Sequence, residues 1–150
     1  MVFEVIKNGF LQRHVPTIRA RYQAQRDAMR DALQVHLPPG CTWSAPVGGM
    51  FFWVELPKHI DATALLPQAV QAGMAYVPGS AFYPNGGHAN TLRLSFVTAA
   101  PDRITAAVAA LGRVLHAANP AASLTANPAA NLSANRTKSP AAGPAANLAA

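Results

Sequence analysis

At 150 residues, with 51 % hydrophobic and only 12 % charged residues, the chain is long enough for one domain with its own core and a tail beyond it. The formal charge is +6, yet Arg13, Arg19, Arg21, Arg26 and Arg30 are spread around one helical segment with Asp27 and Asp31 among them, which argues against a nucleic-acid-binding stripe. A single cysteine, Cys41, excludes an internal disulfide and fits a reducing compartment; no apolar run reaches the roughly 18 residues that span a bilayer, and Met1-Val2-Phe3-Glu4 opens no secretory signal, so the expectation is a cytoplasmic protein.

Residues 2–11 place Phe3 and Ile6 on one helical face with Phe10 a turn further on, as at the frayed end of a helix running into Gly9. Such an apolar stretch has no preceding partner; it would be ordinary if a large domain stood in front of it. Pro16 or Thr17 then opens a long helix to about Leu37, capped by Thr17 and stopped by Pro38-Pro39-Gly40. Ile18, Tyr22, Met29 and Leu33 make its buried stripe, with Ala28 and Ala32 beside it, and its arginines and glutamines are expected to face water.

Cys41–Ala45 and Phe51–Leu56 read as strands joined through Pro46-Val47-Gly48-Gly49-Met50. The second strand is apolar on both faces, which predicts burial on both sides, although the remaining segments can cover only one. That mismatch points to a missing partner surface. Cys41 reads as a small packed residue with no activated thiolate. Asp61 caps a helix over 62–72 that ends at Gly73, with Pro67 in its early part, and Met74–Val77 is a short strand.

A turn-rich loop from Pro78 to His88 leads into a strand over Thr91–Phe96. Alternation puts Leu92, Leu94 and Phe96 on one face and Thr91, Arg93 and Ser95 on the other. One arginine thus stands on a polar face, and its planar fork of donors suits a carboxylate; an ordinary solvated arginine would read the same way. His88 has no second ligand at metal spacing and reads as solvated, and the loop glycines lack the G-K-[ST] ending of a phosphate loop. Pro101-Asp102 starts the last helix, to about Ala117, burying Ile104, Val108, Leu111 and Leu115 with Val114 beside them.

Past Ala118 the composition shifts to repeated Ala, Pro and Asn, as in Asn119-Pro120-Ala121-Ala122 and Asn127-Pro128-Ala129-Ala130. Proline at that density predicts a disordered tail over 119–150, and its two glycosylation sequons, at Asn131 and Asn135, have no secretory route. The expected architecture is α/β of the α+β kind. Helices pack on a small, mostly antiparallel sheet over 1–118, followed by the tail.

Three segments add a family resemblance. Asn90-Thr91-Leu92-Arg93-Leu94-Ser95-Phe96 resembles the N-x-x-R-L-S-F signature of class I/II pyridoxal-phosphate-dependent aminotransferases. Pro46-Val47-Gly48-Gly49-Met50-Phe51-Phe52-Trp53 resembles their P-x-G-G-[ML]-F-x-W segment, and Val77-Pro78-Gly79-Ser80-Ala81-Phe82 their V-x-P-G-x-x-F element. The order and spacing match, and the flavour is that of the 2-aminoadipate/aromatic aminotransferase and MocR-regulator branch. The resemblance covers roughly residues 2–117 and corresponds to the family's small, C-terminal domain. It implies a fragment of an enzyme that moves an amino group between an amino acid and a 2-oxo acid, using pyridoxal 5'-phosphate in a homodimer. It also implies that Arg93 binds the substrate carboxylate, while Gly49 lets Met50 or Phe51 approach the substrate. The Schiff-base lysine of the family stands in an S-x-S-K segment, and Lys7, Lys58 and Lys138 have no such context. No catalytic residue is therefore expected on this chain, which needs a lysine-bearing large domain as partner. The alternative is a non-catalytic effector-binding or interaction module of the MocR-regulator kind.

Overall fold

A computed structural model describes residues 9–119; the helical end expected over 2–8 and the tail beyond 119 lie outside them. Three helices and four strands follow in the order α1 (Phe10–His36), β1 (Thr42–Trp43), β2 (Phe51–Glu55), α2 (Ala62–Gln71), β3 (Val77–Pro78), β4 (Thr91–Ser95) and α3 (Pro101–Ala118), with a 3-10 turn over Gly79–Phe82 between β3 and β4. The sheet order is β1-β2-β4-β3, and each neighbouring pair is antiparallel. The expected α+β architecture is the one observed.

α1 begins earlier than Pro16 or Thr17. It starts at Phe10, after Gly9 at φ 71°, and runs through Pro16. The early start carries no sequence signal, because Gly9 offers no side chain to cap the first turn. Pro16 removes one ladder hydrogen bond, a local loss of about 3 kcal/mol in a helix interior, without ending the helix. The stripe also differs from expectation. Met29, Ala32 and Leu33 are buried as predicted, but Ile18 and Tyr22 are only half-buried. The glutamine expected in water, Gln25, is 1 % exposed. Its Nε2 donates to the carbonyl of Ala99, tying α1 to the turn between β4 and α3. Its Oε1 has no protein partner among the described residues.

The α1–α3 crossing is close enough to require glycine. A Cβ on Gly112 would meet the carbonyl oxygen of His36, with the carbonyl carbon 3.0 Å away. The rest of α3 is as read from the sequence, with Ile104, Val108, Leu111 and Leu115 all buried and Val114 packed against them. These side chains meet Met29 and Leu33 of α1 and the inner face of the sheet, Phe52 and Val54 of β2 and Leu92 and Leu94 of β4. Phe52 and Phe96 pack edge to face at 5.8 Å, an arrangement the ring quadrupoles favour. α2 is capped as expected, the Asp61 carboxylate accepting from Thr63 N at 2.7 Å and Ala64 N at 3.2 Å.

The strands are shorter than their apolar runs. β1 pairs only at Thr42 and Trp43, although Ser44 extends it by donating its N–H to Trp53 O and accepting the Trp53 N–H on Oγ, both at 2.9 Å. β3 pairs from Val77, not Met74. Met74 and Tyr76 are buried instead, and the Tyr76 hydroxyl donates to Ala62 O at 2.7 Å. Phe51–Leu56 is apolar on both faces but fully buried on one, as the expected shortage of covering segments implies. Among the described residues Phe52, Val54 and Leu56 are buried, whereas Phe51 stays 38 % exposed and Trp53 is half-buried. Among the described residues the helices cover one side of the sheet, and Arg93 stands on the other.

Candidate functional site

β4 lies between β2 and β3, with Arg93 opposite Trp53 on one side and Val77 on the other. Its neighbours Leu92 and Leu94 are fully buried, so the alternation of the strand fixes Arg93 on the outer face. Thr91, expected on an open polar face, is 3 % exposed. It is covered because the 3-10 turn folds onto it: a Cβ on Gly79 would overlap Thr91 Oγ1 and lie 2.8 Å from Thr91 Cβ. The Gly79 of one motif and the Thr91 of another are thus in contact, and only a glycine fits.

Asn90 sets the entry of the strand. Its Nδ2 donates to Leu56 O, and its own carbonyl accepts the Leu56 N–H, both at 2.7 Å. The carbonyl of His88 accepts from Thr91 N at 3.0 Å and from Thr91 Oγ1 at 2.7 Å. His88 itself adopts φ 54°, an uncommon conformation for a residue with a Cβ; it is exposed, as expected, and its ring stacks on Tyr83 at 4.0 Å.

Two rings lie against the guanidinium. Arg93 Cζ lies 4.1 Å from the centroid of Phe51 and 4.7 Å from that of Phe82. Phe51 comes from β2 and Phe82 from the 3-10 turn. Phe82 in turn meets Trp53 edge to face at 5.5 Å, and Trp53 meets Tyr83 at 6.2 Å. Among the described residues no acceptor engages the guanidinium, and its N–H donors remain open. A charged, planar donor fork on an aromatic floor is suited to a carboxylate.

Gly49 and Met50 are not placed with Arg93 in one pocket. Gly49 has φ 80°, a conformation that favours glycine, and no atom lies within 4 Å of a Cβ built there, so conformation and not space is what requires it. It opens on a cleft of about 490 Å³ on the α1 side, lined also by Arg19, Tyr22, Arg26, Val47 and Phe96. Arg26 in that cleft is held by Asp27 at 2.8 Å. Met50 is 43 % exposed, and its carbonyl accepts from Phe96 N at 3.1 Å; its link to the arginine is through the next residue, Phe51. Cys41 is buried, and burial pushes its thiol up to about 12, as befits a packed residue. Lys58 is exposed in the turn after β2. No local pattern signals Phe82 beside Arg93; for Phe51 the signal is an apolar residue on the face that should be polar.

The sequence model of the family described as aminotransferase class I and II matches residues 4–111. The chain belongs to that family. It is 41 % identical over 115 residues to a 2-aminoadipate transaminase of Thermus thermophilus, covering 77 % of this chain and 29 % of the relative. It is 37 % identical over 115 residues to aromatic-amino-acid aminotransferase 1 of Thermococcus litoralis, covering 77 % and 28 %. The chain thus spans under a third of the length of these curated relatives. The crystal structure of LysN, an α-aminoadipate aminotransferase of Thermus thermophilus complexed with N-(5'-phosphopyridoxyl)-L-leucine, superposes with a TM-score of 0.73 at 40 % identity, covering 77 % of this chain and 30 % of that one. An HTH-type transcriptional regulator of Bacillus subtilis, YdfD, is also similar, at 29 % identity over 112 residues, 75 % of this chain and 23 % of the regulator. The aminotransferase and MocR-regulator branch expected from the three motifs is the one found, and the family implies pyridoxal phosphate as its cofactor.

Proposed function

We propose that this chain is the carboxylate-binding part of a pyridoxal-phosphate-dependent aminotransferase acting on an amino acid and a 2-oxo acid, and that Arg93 grips the substrate carboxylate. The observation that carries this reading is the open donor fork of Arg93, held on the outer sheet face inside a matched family signature. Two parallel charged hydrogen bonds from the fork orient a carboxylate in the guanidinium plane, which an ammonium cannot do. Gly49 and Met50 act one step away: the glycine turn sets where β2 begins, and with it the position of Phe51 beneath the arginine.

Among the described residues we assign no pyridoxal phosphate site. Their one lysine, Lys58, is exposed in a turn, and the carboxylate of Asp61 is occupied as a helix cap. The cofactor's chemistry, withdrawal of electrons from the amino acid, therefore belongs to a lysine-bearing partner domain, and the chain by itself is inactive. Residues 1–118 form this unit on the same reading.

The test joins the chain to the lysine-bearing part of a close relative and compares amino acids with the corresponding amines as substrates. Loss of the fork in Arg93→Lys removes about 1.5–3 kcal/mol of charged hydrogen bonding, roughly ten- to a hundredfold in kcat/KM for amino acids, with amines little affected. An undiminished preference for amino acids in Arg93→Lys would make Arg93 a surface arginine. Turnover by the unjoined chain with pyridoxal phosphate and 2-oxoglutarate would contradict its inactivity.

A further inference from the structure

We infer that Phe51 and Phe82 are positioning residues: together they fix the orientation of the Arg93 guanidinium through its π contacts and leave its in-plane N–H donors for the ligand. The inference rests on the reading of Arg93 as the carboxylate arginine.

A guanidinium has two recognition surfaces, its faces and its edge. Most structural arginines are held by the edge, through carboxylates or carbonyls, and such an arginine has fewer donors left for a ligand. Arg26 and Arg30 are of that kind, both bonded to Asp27. Arg93 is held differently. Its Cζ lies over the Phe51 ring at 4.1 Å and over the Phe82 ring at 4.7 Å, and among the described residues nothing accepts from its edge. Aromatic contact restrains the group without occupying a donor.

The two rings are themselves held. Phe51 sits in β2, in register with Ser95 two residues along from Arg93. Phe82 ends the 3-10 turn, which is seated by Gly79 against Thr91 and by the Ser80–Thr63 hydroxyl contact at 3.1 Å, and its ring leans on Trp53 at 5.5 Å. Both rings are partly exposed, 38 % and 43 %, so exchanging them leaves the buried core in place.

The test uses the full chain with 15N-labelled arginine and reads the Arg93 side chain by NMR, assigned by its loss in Arg93→Lys. The expected wild-type signature is a ring-current displacement of the Arg93 side-chain protons and slowed rotation of the guanidinium. Phe51→Leu and Phe82→Leu each abolish most of that displacement and speed the rotation at least severalfold, while Phe51→Tyr and Phe82→Tyr, which keep a π face, retain both. Wild-type Arg93 signals like those of an exposed arginine, or leucine variants indistinguishable from wild type, overturn the inference. A second arm titrates 2-oxoglutarate against chloride at equal ionic strength. A response at Arg93 that weakens severalfold in the leucine variants, and not in the tyrosine ones, supports positioning. Equal response in all variants overturns it. No response in the wild type, with the ring signature intact, leaves the aromatic restraint supported and instead counts against the carboxylate role of Arg93.

Discussion

Gly79→Ala places one methyl group where the 3-10 turn meets β4. The added Cβ would overlap Thr91 Oγ1 and stand 2.8 Å from Thr91 Cβ and 2.9 Å from the Thr91 carbonyl oxygen. Two of these three atoms cannot swing away, because one is backbone and the other is fixed to it. Relief requires the turn to lift from β4, or Thr91 Oγ1 to leave the His88 carbonyl it bonds at 2.7 Å. Overpacking of this kind costs about 1–3 kcal/mol. The lost hydrogen bond adds about 0.5–1.5 kcal/mol. The expected destabilisation is thus roughly 2–4 kcal/mol, a large share of the stability of a small domain. Urea unfolding followed by the fluorescence of Trp43 and Trp53 measures it, as a midpoint lowered by about 1–3 M at an ordinary slope for a chain of this size. The same substitution in a Thr91→Ala background meets a smaller obstacle, because the nearest atom is gone, and the double-mutant cycle should return a coupling of about 1 kcal/mol. A Gly79→Ala protein within about 0.5 kcal/mol of wild type, a difference typical of neutral surface changes, would refute the close packing of turn on strand.

Asp61→Ala removes the acceptor of two backbone N–H groups at the start of α2 and should lower stability by about 1 kcal/mol in the same urea experiment, whereas Asp61→Asn should retain most of it. An unchanged Asp61→Ala midpoint would show the cap to be replaced by water. In alkali, Cys41 and Tyr76, both raised to about 12 by burial, keep their protons in the folded chain after the unfolded chain has begun to lose its own near pH 9 and 10. Their folded pKa values exceed the unfolded ones, so their contribution is fully present below about pH 9 and is lost as the pH rises towards 12. Stability measured across that window should fall less steeply in Cys41→Ala and in Tyr76→Phe than in the wild type; equal slopes would mean that neither group is desolvated.

Local chemistry made much of the fold legible. The period of Ile104, Val108, Leu111 and Leu115 gave α3 its buried face, and Asp61 before an apolar run gave α2 its start. The alternation of Leu92, Arg93 and Leu94 alone placed the arginine outside the core, since neighbouring side chains of a strand cannot share a face. In each case the deciding partners lie within a few residues of one another.

Contacts between distant segments were decided only by tertiary structure. Gln25 looked like a water-facing glutamine until the chain brought the Ala99 carbonyl, 74 residues away, against its amide. Phe51 looked like core because it is apolar, but the helices could cover only one side of β2, and it was left on the outer face. Gly79 looked like a turn residue, and its requirement is instead the width of Thr91 on another strand. Arg93 itself could be placed on a face from the sequence, but whether it was solvated or restrained depended on which rings arrived there. One came from β2 through its register with β4, and the other from a turn seated across β4. Periodicity fixes the direction of a side chain relative to its own backbone; what that side chain meets is set by the packing of elements that are remote in sequence, and no local pattern encodes it.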